Sequence, residues 1–307
     1  MPGEQGSVLS VHLPCTDFPV HRAAVLGSPV AHSLSPVLHR AAHAHLGLAG
    51  WTYEVLEVAD AVRLGEVLDQ GWSGLSLTMP LKRMVLPLLD DVSELAAAVG
   101  AVNTVTFAGG RRAGDNTDVG GIATALTEGG VAGLADGDGC VVGGGATAAS
   151  ALAALAVLGD RTPTVVVRDR GRAGELLEAA ERLQVAPTVV PWADGATALG
   201  RAAAVVSTVP AEASAEVAGL VPSAVAGVLL DVVYAPWPTA AAQAWSRCGG
   251  RAVAGSVMLL HQAVEQVRLM TGRTPSSEVL RAALDQALAE RSATVTGPAQ
   301  AEAPGRR

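Results

Sequence analysis

Residues 140–155, "CVVGGGATAASALAAL", contain the strongest fold signal in the chain. An apolar run ends in three consecutive glycines, and an uncharged run rich in Ala follows them. This order predicts a β-strand, a tight turn and an α-helix. Gly143, Gly145 and Ala148 have the spacing G-x-G-x-x-A, in which the first glycine permits the turn and the second lets a pyrophosphate approach the backbone. The small third residue lets the helix pack closely on the strand, so the segment indicates a dinucleotide site.

Short apolar runs recur after this turn, with helical patterns between them. Such nearly continuous runs are typical of parallel strands that are covered on both faces. We predict strands at 140–142, 164–167, 188–190, 204–207 and 228–232, with the clearest helices at 146–158 and 172–183. The pattern predicts a doubly wound Rossmann domain over residues 122–255.

Upstream, strands are predicted at 22–26, 51–56, 74–77 and 101–107, with helices that begin at Ser35, Ala61 and Ser93 and a further helix at 118–128. This βαβ pattern predicts an N-terminal α/β substrate domain over residues 1–121. Two late helices, about 256–271 and 277–290, are expected to complete it. The fold class is therefore a two-domain α/β protein, and the Ala-, Pro- and Gly-rich residues 292–307 are expected to form a disordered tail.

The composition limits the classes of function. The 307 residues carry a net charge of −8 without a block of Lys and Arg, which argues against nucleic acid or a membrane surface as partner. The uncharged run 140–159 is broken by glycines and is too short beyond them to span a bilayer. Three widely spaced cysteines predict reduced thiols and no metal site. With no secretory signal visible, we expect a cytoplasmic enzyme, and either a monomer or a homodimer is compatible with the sequence.

The segment "GSPVAHSLSPVLHRAA", residues 27–42, places two serines before a helical pattern. Ser35 is predicted to be the N-cap, with Pro36 at the first helical position. Ser33 lies outside the helix, yet both hydroxyls can face the unpaired N–H groups of its first turn, where a carboxylate or phosphate binds favourably. The alternative is one cap and one solvated loop serine.

Two further segments carry polar residues next to strands. In "GLSLTMPLK", residues 74–82, Thr78 and Lys82 follow a strand, and Lys82 is either functional or a surface lysine whose stem covers apolar residues. In "GAVNTVTFAGGRRAGDNTDVGG", residues 100–121, an Asn-Thr pair occurs twice, and Asp118 is a candidate helix cap.

The end of the second Rossmann strand, "VVVRDRGRAGEL", places Arg168, Arg170 and Arg172 around Asp169. In this fold arginines at that point receive the 2′-phosphate of NADP, whereas an acidic residue accepts from the ribose hydroxyl of NAD. The three cations favour NADP. Asp169 leaves NAD open, and a solvated charged loop is the remaining alternative.

Taken together, these motifs resemble the shikimate dehydrogenase family. S-x-S-P, T-x-P-x-K, G-A-V-N-T and N-T-D-x-x-G occur in that order ahead of the glycine turn, and the resemblance covers most of residues 22–290. The segments "STVP" at 207–210, "DVVYAPWPT" at 231–239 and "GSVMLLHQAV" at 255–264 agree with it. It implies reversible NADP(H)-dependent reduction of 3-dehydroshikimate to shikimate, a step of chorismate and aromatic amino acid biosynthesis.

The resemblance also implies roles for individual residues. Lys82 and Asp118 would be catalytic, and Ser33 and Ser35 would hold the substrate carboxylate, with Tyr234 near that end. Ring hydroxyls or the reacting carbonyl would be reached by Thr78, Asn103 and Gln262. The implied cofactor residues are Gly143, Gly144, Gly145, Ala146, Arg168, Arg172, Thr208, Gly255 and Met258.

Two departures from the family pattern keep alternatives open. Ser76 stands where the family most often has Asn, and residues 167–169 are Val-Arg-Asp where N-R-S/T is common. A quinate or aminoshikimate dehydrogenase, with NAD in place of NADP, is one alternative. A non-catalytic nucleotide-binding paralogue is another, and it would need neither Lys82 nor Asp118.

Overall fold

A computed structural model of the chain describes residues 20–295. The protein folds around two six-stranded sheets, the first within residues 21–115 and the second within residues 139–254. Helices pack against both sheets, so the predicted two-domain α/β class with a doubly wound domain is confirmed. None of the helices in residues 20–295 combines the length and the apolar composition that crossing a membrane requires.

The second sheet is parallel throughout. Its strands are β7 (Gly139–Val142), β8 (Thr164–Val167), β9 (Thr188–Pro191), β10 (Ala204–Ser207), β11 (Val228–Asp231) and β12 (Arg251–Ala254). The spatial order β9-β8-β7-β10-β11-β12 is that of a Rossmann fold, in which the strand order reverses between β7 and β10. The glycine turn after β7 lies at this switch point, where doubly wound sheets bind their ligands. Strand β12, a short edge strand with an exposed Arg251, was not among the predicted strands.

Five helices surround this sheet: α6 (Ala146–Val157), α7 (Gly174–Arg182), α8 (Gly195–Arg201), α9 (Ser214–Ala218) and α10 (Ala240–Arg247). The first of them explains the alanine-rich run. Ala148, Ala149 and Ala151 of α6 are completely buried. Their small side chains let α6 lie close to the sheet, as the spacing of the glycine motif requires.

The first sheet is mixed. Its strands are β1 (His21–Gly27), β2 (Trp51–Glu57), β3 (Gly74–Leu77), β4 (Asp91–Val92), β5 (Thr104–Ala108) and β6 (Arg111–Asp115), in the order β2-β1-β3-β5-β6-β4. Helices α1 (Ser35–His45), α2 (Ala61–Leu68), α3 (Leu81–Met84) and α4 (Glu94–Val99) connect them. The βαβ prediction holds for the parallel strands β1 to β3, but β5 is antiparallel to β3 and to β6. The β5–β6 hairpin was missed because β6, "RRAGD", has a charged rather than an apolar pattern.

Helices α5 (Asp118–Glu128) and α11 (Gly255–Thr271) lead from one sheet to the other, and α12 (Ser277–Val295) follows α11. After the second sheet the chain returns to the first one. There α11 and α12 bury Leu260, Val267 and Leu280 against Leu38 of α1 and against Leu34, the N-cap residue of α1. Helix α12 extends past the predicted end at about residue 290. The tail predicted for residues 292–307 therefore begins within this helix, and residues 296–307 lie outside the described part of the chain.

Two histidines of α1 are buried in the first domain. The His39 ring stacks on Tyr53 with 4.0 Å between centroids, and neither ring nitrogen of His43 has a hydrogen-bond partner among the described residues. Burial lowers the pKa of His39 to about 3 and that of His43 to about 4. Both rings are therefore neutral at pH 7, and folding opposes their protonation.

These histidines predict that the protein loses stability in acid. Because their pKa in the folded protein lies below the usual value of 6.5, the stabilisation is complete above pH 6.5 and decreases as the pH falls toward 4. Each histidine contributes a slope of up to about 1.4 kcal/mol per pH unit in the free energy of unfolding. Replacing His43→Phe should make this loss shallower, measured by urea denaturation between about pH 7.5 and 4.

At neutral pH the same variant should be about as stable as the parent, because the His43 ring has no hydrogen bonds to lose and borders a cleft. His45→Phe is the matched control, since His45 is exposed on the same helix. An unchanged pH slope in His43→Phe would show that His43 is charged or solvated in the folded protein.

Candidate active site

A cavity of about 290 Å³ lies between the two sheets, at the carboxyl ends of β1, β3 and β11. Its wall contains seven of the predicted substrate and catalytic residues: Ser33, Ser35, Thr78, Lys82, Asp118, Tyr234 and Gln262. Gly255 and Met258, from the predicted cofactor set, also line it. Residues from opposite ends of the sequence therefore meet in one space.

Lys82 and Asp118 form a buried ion pair in this wall. Lys82 follows β3 on the short helix α3, and Asp118 is the first residue of α5. The Lys82 Nζ lies 2.5 Å from Asp118 Oδ2, and the side chains are 14% and 1% exposed. Lys82 is also the only lysine in the sequence. It is thus a paired internal cation rather than a surface lysine.

Asp118 does not cap its helix, contrary to the alternative that the sequence suggested. Thr117 occupies the N-cap position, and the Asn116 side chain accepts from the backbone N–H groups of Asp118 and Val119 at 3.1 and 3.3 Å. Because Asn116 serves the helix start, both carboxylate oxygens of Asp118 are free to bind side chains: Oδ2 binds Lys82 and Oδ1 accepts from Asn103 at 2.7 Å.

Asn103 lies behind the cavity wall. Its amide nitrogen is 2.7 Å from Asp118 Oδ1 and 3.0 Å from Gln262 Oε1. Its amide oxygen accepts from the backbone N–H of Thr117 at 2.9 Å and from the Thr104 hydroxyl at 2.8 Å. Asn103 therefore orients two cavity side chains, one from α5 and one from α11.

The serine motif forms the other polar part of the wall. Helix α1 begins at Ser35 and its N-cap is Leu34, so the prediction of Ser35 as N-cap is wrong. It is Ser33 that accepts, at 3.2 Å, from the backbone N–H of Ser35. Both serines line the cavity. Arg291 of α12 donates to the backbone oxygen of His32 at 2.8 Å and so holds this loop from behind.

Tyr234 also lines the cavity. Burial raises the pKa of its hydroxyl, and the neighbouring Arg291 opposes that shift only in part. The hydroxyl is protonated at neutral pH and can donate a hydrogen bond to a ligand.

A second groove, of about 410 Å³, runs along the glycine turn and is lined by Gly143, Gly144, Gly145, Arg168, Asp169 and Trp192, among others. Gly143 has φ +121°, and a Cβ there would lie 2.3 Å from the Thr208 hydroxyl, which supports the turn by donating to the backbone oxygen of Val142 at 2.9 Å. A Cβ on Gly145 would meet nothing within 4 Å. The backbone is thus open toward the groove, and helix α6 begins beside it at Ala146 with its unpaired N–H groups. A pyrophosphate fits this cradle.

The arginines beside the groove have different partners. Arg168 lies 5.3 Å from the centre of a Trp192 ring and 3.0 Å from Glu216. Arg170 donates to the backbone oxygen of Val189 at 2.8 Å, so it serves the structure of β9. Asp169 accepts from the backbone N–H of Gly171 at 2.8 Å. Arg172 lies in the same short turn, and its side chain falls outside what the structure describes.

Several residues of both sites were not predicted from the sequence. Gln266 lines the cavity one helical turn after Gln262, and the i, i+4 spacing on α11 was the signal for it. Arg83 and Glu175 form an ion pair between α3 and α7 and line the groove. No local signal identifies that pair, because it exists only once the two domains pack. Among residues 20–295 no group of three or more His, Cys, Asp or Glu is placed to hold a metal ion.

Two family models match segments of the chain that contribute residues to the cavity. Residues 25–105 match the family model described as the shikimate dehydrogenase substrate binding domain, and residues 255–284 match the shikimate 5′-dehydrogenase C-terminal domain. The shikimate dehydrogenase (NADP(+)) of Desulfitobacterium hafniense is 33% identical over 282 residues, which cover 88% of this chain and 99% of that protein.

Solved structures agree. The shikimate dehydrogenase of Mycobacterium tuberculosis is 41% identical with a TM-score of 0.78, over 86% of this chain and 99% of that one. The shikimate 5-dehydrogenase of Thermus thermophilus, solved in complex with NADP(H) and shikimate, is 33% identical with a TM-score of 0.72, over 87% of this chain and 100% of that one.

Proposed function

Because the chain belongs to the shikimate dehydrogenase family, we propose that it catalyses the reversible NADP(H)-dependent reduction of 3-dehydroshikimate to shikimate in aromatic amino acid biosynthesis. The observation that carries this proposal is the buried Lys82–Asp118 pair, which opens on a cavity whose other polar wall is the Ser33–Ser35 loop. One wall offers a cation and the other offers hydroxyl donors. A small ring acid with a carboxylate and a reacting carbonyl matches both.

Lys82 has the chemistry that carbonyl reduction requires. Negative charge develops on the carbonyl oxygen, and an ammonium at that point stabilises the charge and donates the proton. In the reverse direction the same amine accepts the proton from the ring hydroxyl. Asp118 fixes the position of Nζ and, through its second oxygen, is itself fixed by Asn103.

The residues of the glycine groove would hold the cofactor. NADP(H), when bound, supplies or accepts the hydride. The open backbone at Gly143 to Gly145 and the start of α6 would receive the pyrophosphate, and Arg168, with Arg172 in the same loop, would receive the 2′-phosphate. Gly255 and Met258 line the cavity and would contact the end of the cofactor that meets the substrate.

The architecture supports an assignment of domains. We assign residues 1–121 with the helices of residues 256–290 to substrate binding and residues 122–255 to cofactor binding, since α11 and α12 pack on α1 while β7 to β12 form the Rossmann sheet. We further propose that the enzyme acts in the cytoplasm, as a monomer or homodimer.

Quinate and aminoshikimate remain the rival substrates, and a non-catalytic nucleotide-binding role is the rival of another class. A matrix of shikimate, quinate and aminoshikimate, each with NADP and NAD, separates them. The highest kcat/KM should occur with shikimate and NADP. Tight NADP binding with no turnover of any of the three acids would favour the nucleotide-binding role.

Removing the amine of Lys82 should abolish most of the chemistry without weakening binding. Lys82→Ala is expected to lower kcat by at least about a hundredfold with little change in KM, because it removes charge stabilisation and proton transfer in the transition state. Lys82→Arg keeps a positive charge but cannot release a proton at neutral pH, so it should not restore turnover. Near-normal kcat in either variant would remove Lys82 from the reaction.

Removing one hydroxyl of the serine loop should weaken substrate binding. Ser33→Ala and Ser35→Ala are each expected to cost roughly 1 to 3 kcal/mol of binding, seen as a higher KM for shikimate, because a charged acceptor loses its donor. Ser28→Ala is the matched control, since that hydroxyl donates to Glu57 and does not line the cavity. Unchanged KM in both test variants would place the carboxylate elsewhere.

Removing the arginines of the cofactor loop should change coenzyme preference. Arg168→Ala and Arg172→Ala are expected to raise KM for NADP about tenfold or more while leaving KM for NAD nearly unchanged, because only NADP carries the 2′-phosphate. Arg161→Ala removes an exposed charge outside the groove and serves as control. An equal loss with both coenzymes would exclude 2′-phosphate recognition by these residues.

A further inference from the structure

We propose that the buried Tyr53 is a positioning residue for the substrate. Its hydroxyl donates to Ser76, whose own proton is held by Gln266, and so fixes the Ser76 hydroxyl with its remaining lone pair toward the cavity. There Ser76 accepts a hydrogen bond from a ring hydroxyl of the substrate. The proposal rests on the proposed function, since it concerns the same cavity. It also explains how the site works with Ser76 where the family most often has Asn.

Tyr53 does not line the cavity, but its hydroxyl contacts Ser76, which does. Its side chain is 2% exposed and stacks on His39. Strand β1 separates β2 from β3, and the residue of β1 paired with Tyr53 is Ala23. The small side chain there leaves room for the Tyr53 hydroxyl to reach Ser76 Oγ on β3 at 2.7 Å. Ser76 lines the cavity.

The direction of these hydrogen bonds is set by Gln266. One terminal atom of its amide lies 3.3 Å from the backbone oxygen of Asn103. A carbonyl oxygen only accepts, so that atom is the nitrogen, and the amide oxygen faces the other way. This oxygen lies 3.0 Å from Ser76 Oγ and 3.2 Å from His39 Nε2. Since it can only accept, Ser76 and His39 both donate to it.

The single proton of Ser76 is therefore committed to Gln266. Ser76 cannot also donate to Tyr53, so Tyr53 donates to Ser76. A hydroxyl has one proton and two lone pairs, and Tyr53 occupies one of the lone pairs. What Ser76 can offer to a ligand in the cavity is its second lone pair. Ser76 is an acceptor there and not a donor.

The serine loop lines the same cavity as Ser76. Ser33 Oγ accepts from the backbone N–H of Ser35, so the proton of the Ser33 hydroxyl is left for a carboxylate in the cavity. The wall therefore separates a donor at Ser33 from an acceptor at Ser76.

This separation selects the orientation of the ring. A carboxylate placed at Ser76 would face a lone pair and be repelled, whereas a ring hydroxyl would donate to it. At Ser33 the preference is reversed. The substrate therefore binds with its carboxylate at the serine loop and a hydroxyl at Ser76.

Tyr53→Phe in the 307-residue protein tests the proposal, because it removes only the hydroxyl that holds Ser76. KM for shikimate should rise about five- to twentyfold, while kcat changes less than about threefold and KM for NADP stays unchanged. His43→Phe, a change to another buried aromatic ring of the same helix–sheet layer that does not touch Ser76, is the control and should leave all three constants unchanged.

A panel of deoxy-shikimates, each without one ring hydroxyl, separates positioning from a general structural effect. In the parent enzyme, calorimetry should show one analogue whose Kd rises about tenfold or more relative to shikimate, because it lacks the hydroxyl that faces Ser76. In Tyr53→Phe this ratio should fall toward one, while the ratios for the other analogues stay as they were. Ratios unchanged in every analogue would overturn the proposal.

Ser76→Ala gives an independent measurement that does not depend on a variant of Tyr53. It should raise KM as much as Tyr53→Phe or more, and the double variant should be no worse than Ser76→Ala, since both changes remove one interaction. Additive losses, or an unchanged KM in Ser76→Ala, would overturn the proposal. The proposed function fails separately, if the parent enzyme does not turn over shikimate.

Discussion

The ion pair between Lys82 and Asp118 is the interaction on which the site depends. A buried ammonium is unfavourable unless a partner of opposite charge and further hydrogen bonds accompany it. The partner comes from a distant helix, and its second oxygen is held by Asn103. Asn116 takes over the capping of that helix and so leaves the carboxylate free for the pair. The side chains of Asp118, Asn103 and Asn116 thus hold the Lys82 amine in a defined position at the cavity.

The placement of helices α5 and α11 makes this arrangement possible. Asp118 stands at the start of α5, and Gly255, Met258 and Gln262 lie in the first turns of α11. Helix α5 follows the last strand of the first sheet along the chain, and α11 follows the last strand of the second. The two helices pack on each other between the two domains. A Cβ on Gly121 of α5 would lie 2.8 Å from the backbone oxygen of Met258, so the helices are in close backbone contact. The proposed substrate and cofactor walls therefore share residues of the same two helices.

Much of the fold and part of the site were predictable because their signals are local. The glycine turn and helix α5 follow from the residues they contain, and β3, β8 and β10 have the predicted bounds. Strand β6 was not predictable in this way, since its charged residues form a strand only by pairing with β5. In the site, motifs single out Lys82, Asp118 and the two serines. Tyr53 stands in no such motif, and Gln266 is indicated only by its spacing from Gln262. Their positions are set by hydrogen bonds that join β2, β3 and α11.

The composition of the chain also bears on the proposed role of Lys82. Of 21 Lys and Arg residues only this one is lysine. Arginine is permanently charged and suits fixed ion pairs, such as those of Arg22 with Glu54 and Arg281 with Glu128. Because all the other Lys and Arg positions hold arginine, the general composition does not account for a lysine at position 82. The proposed proton transfer provides a chemical reason, since an amine can exchange a proton with a substrate oxygen whereas a guanidinium stays charged.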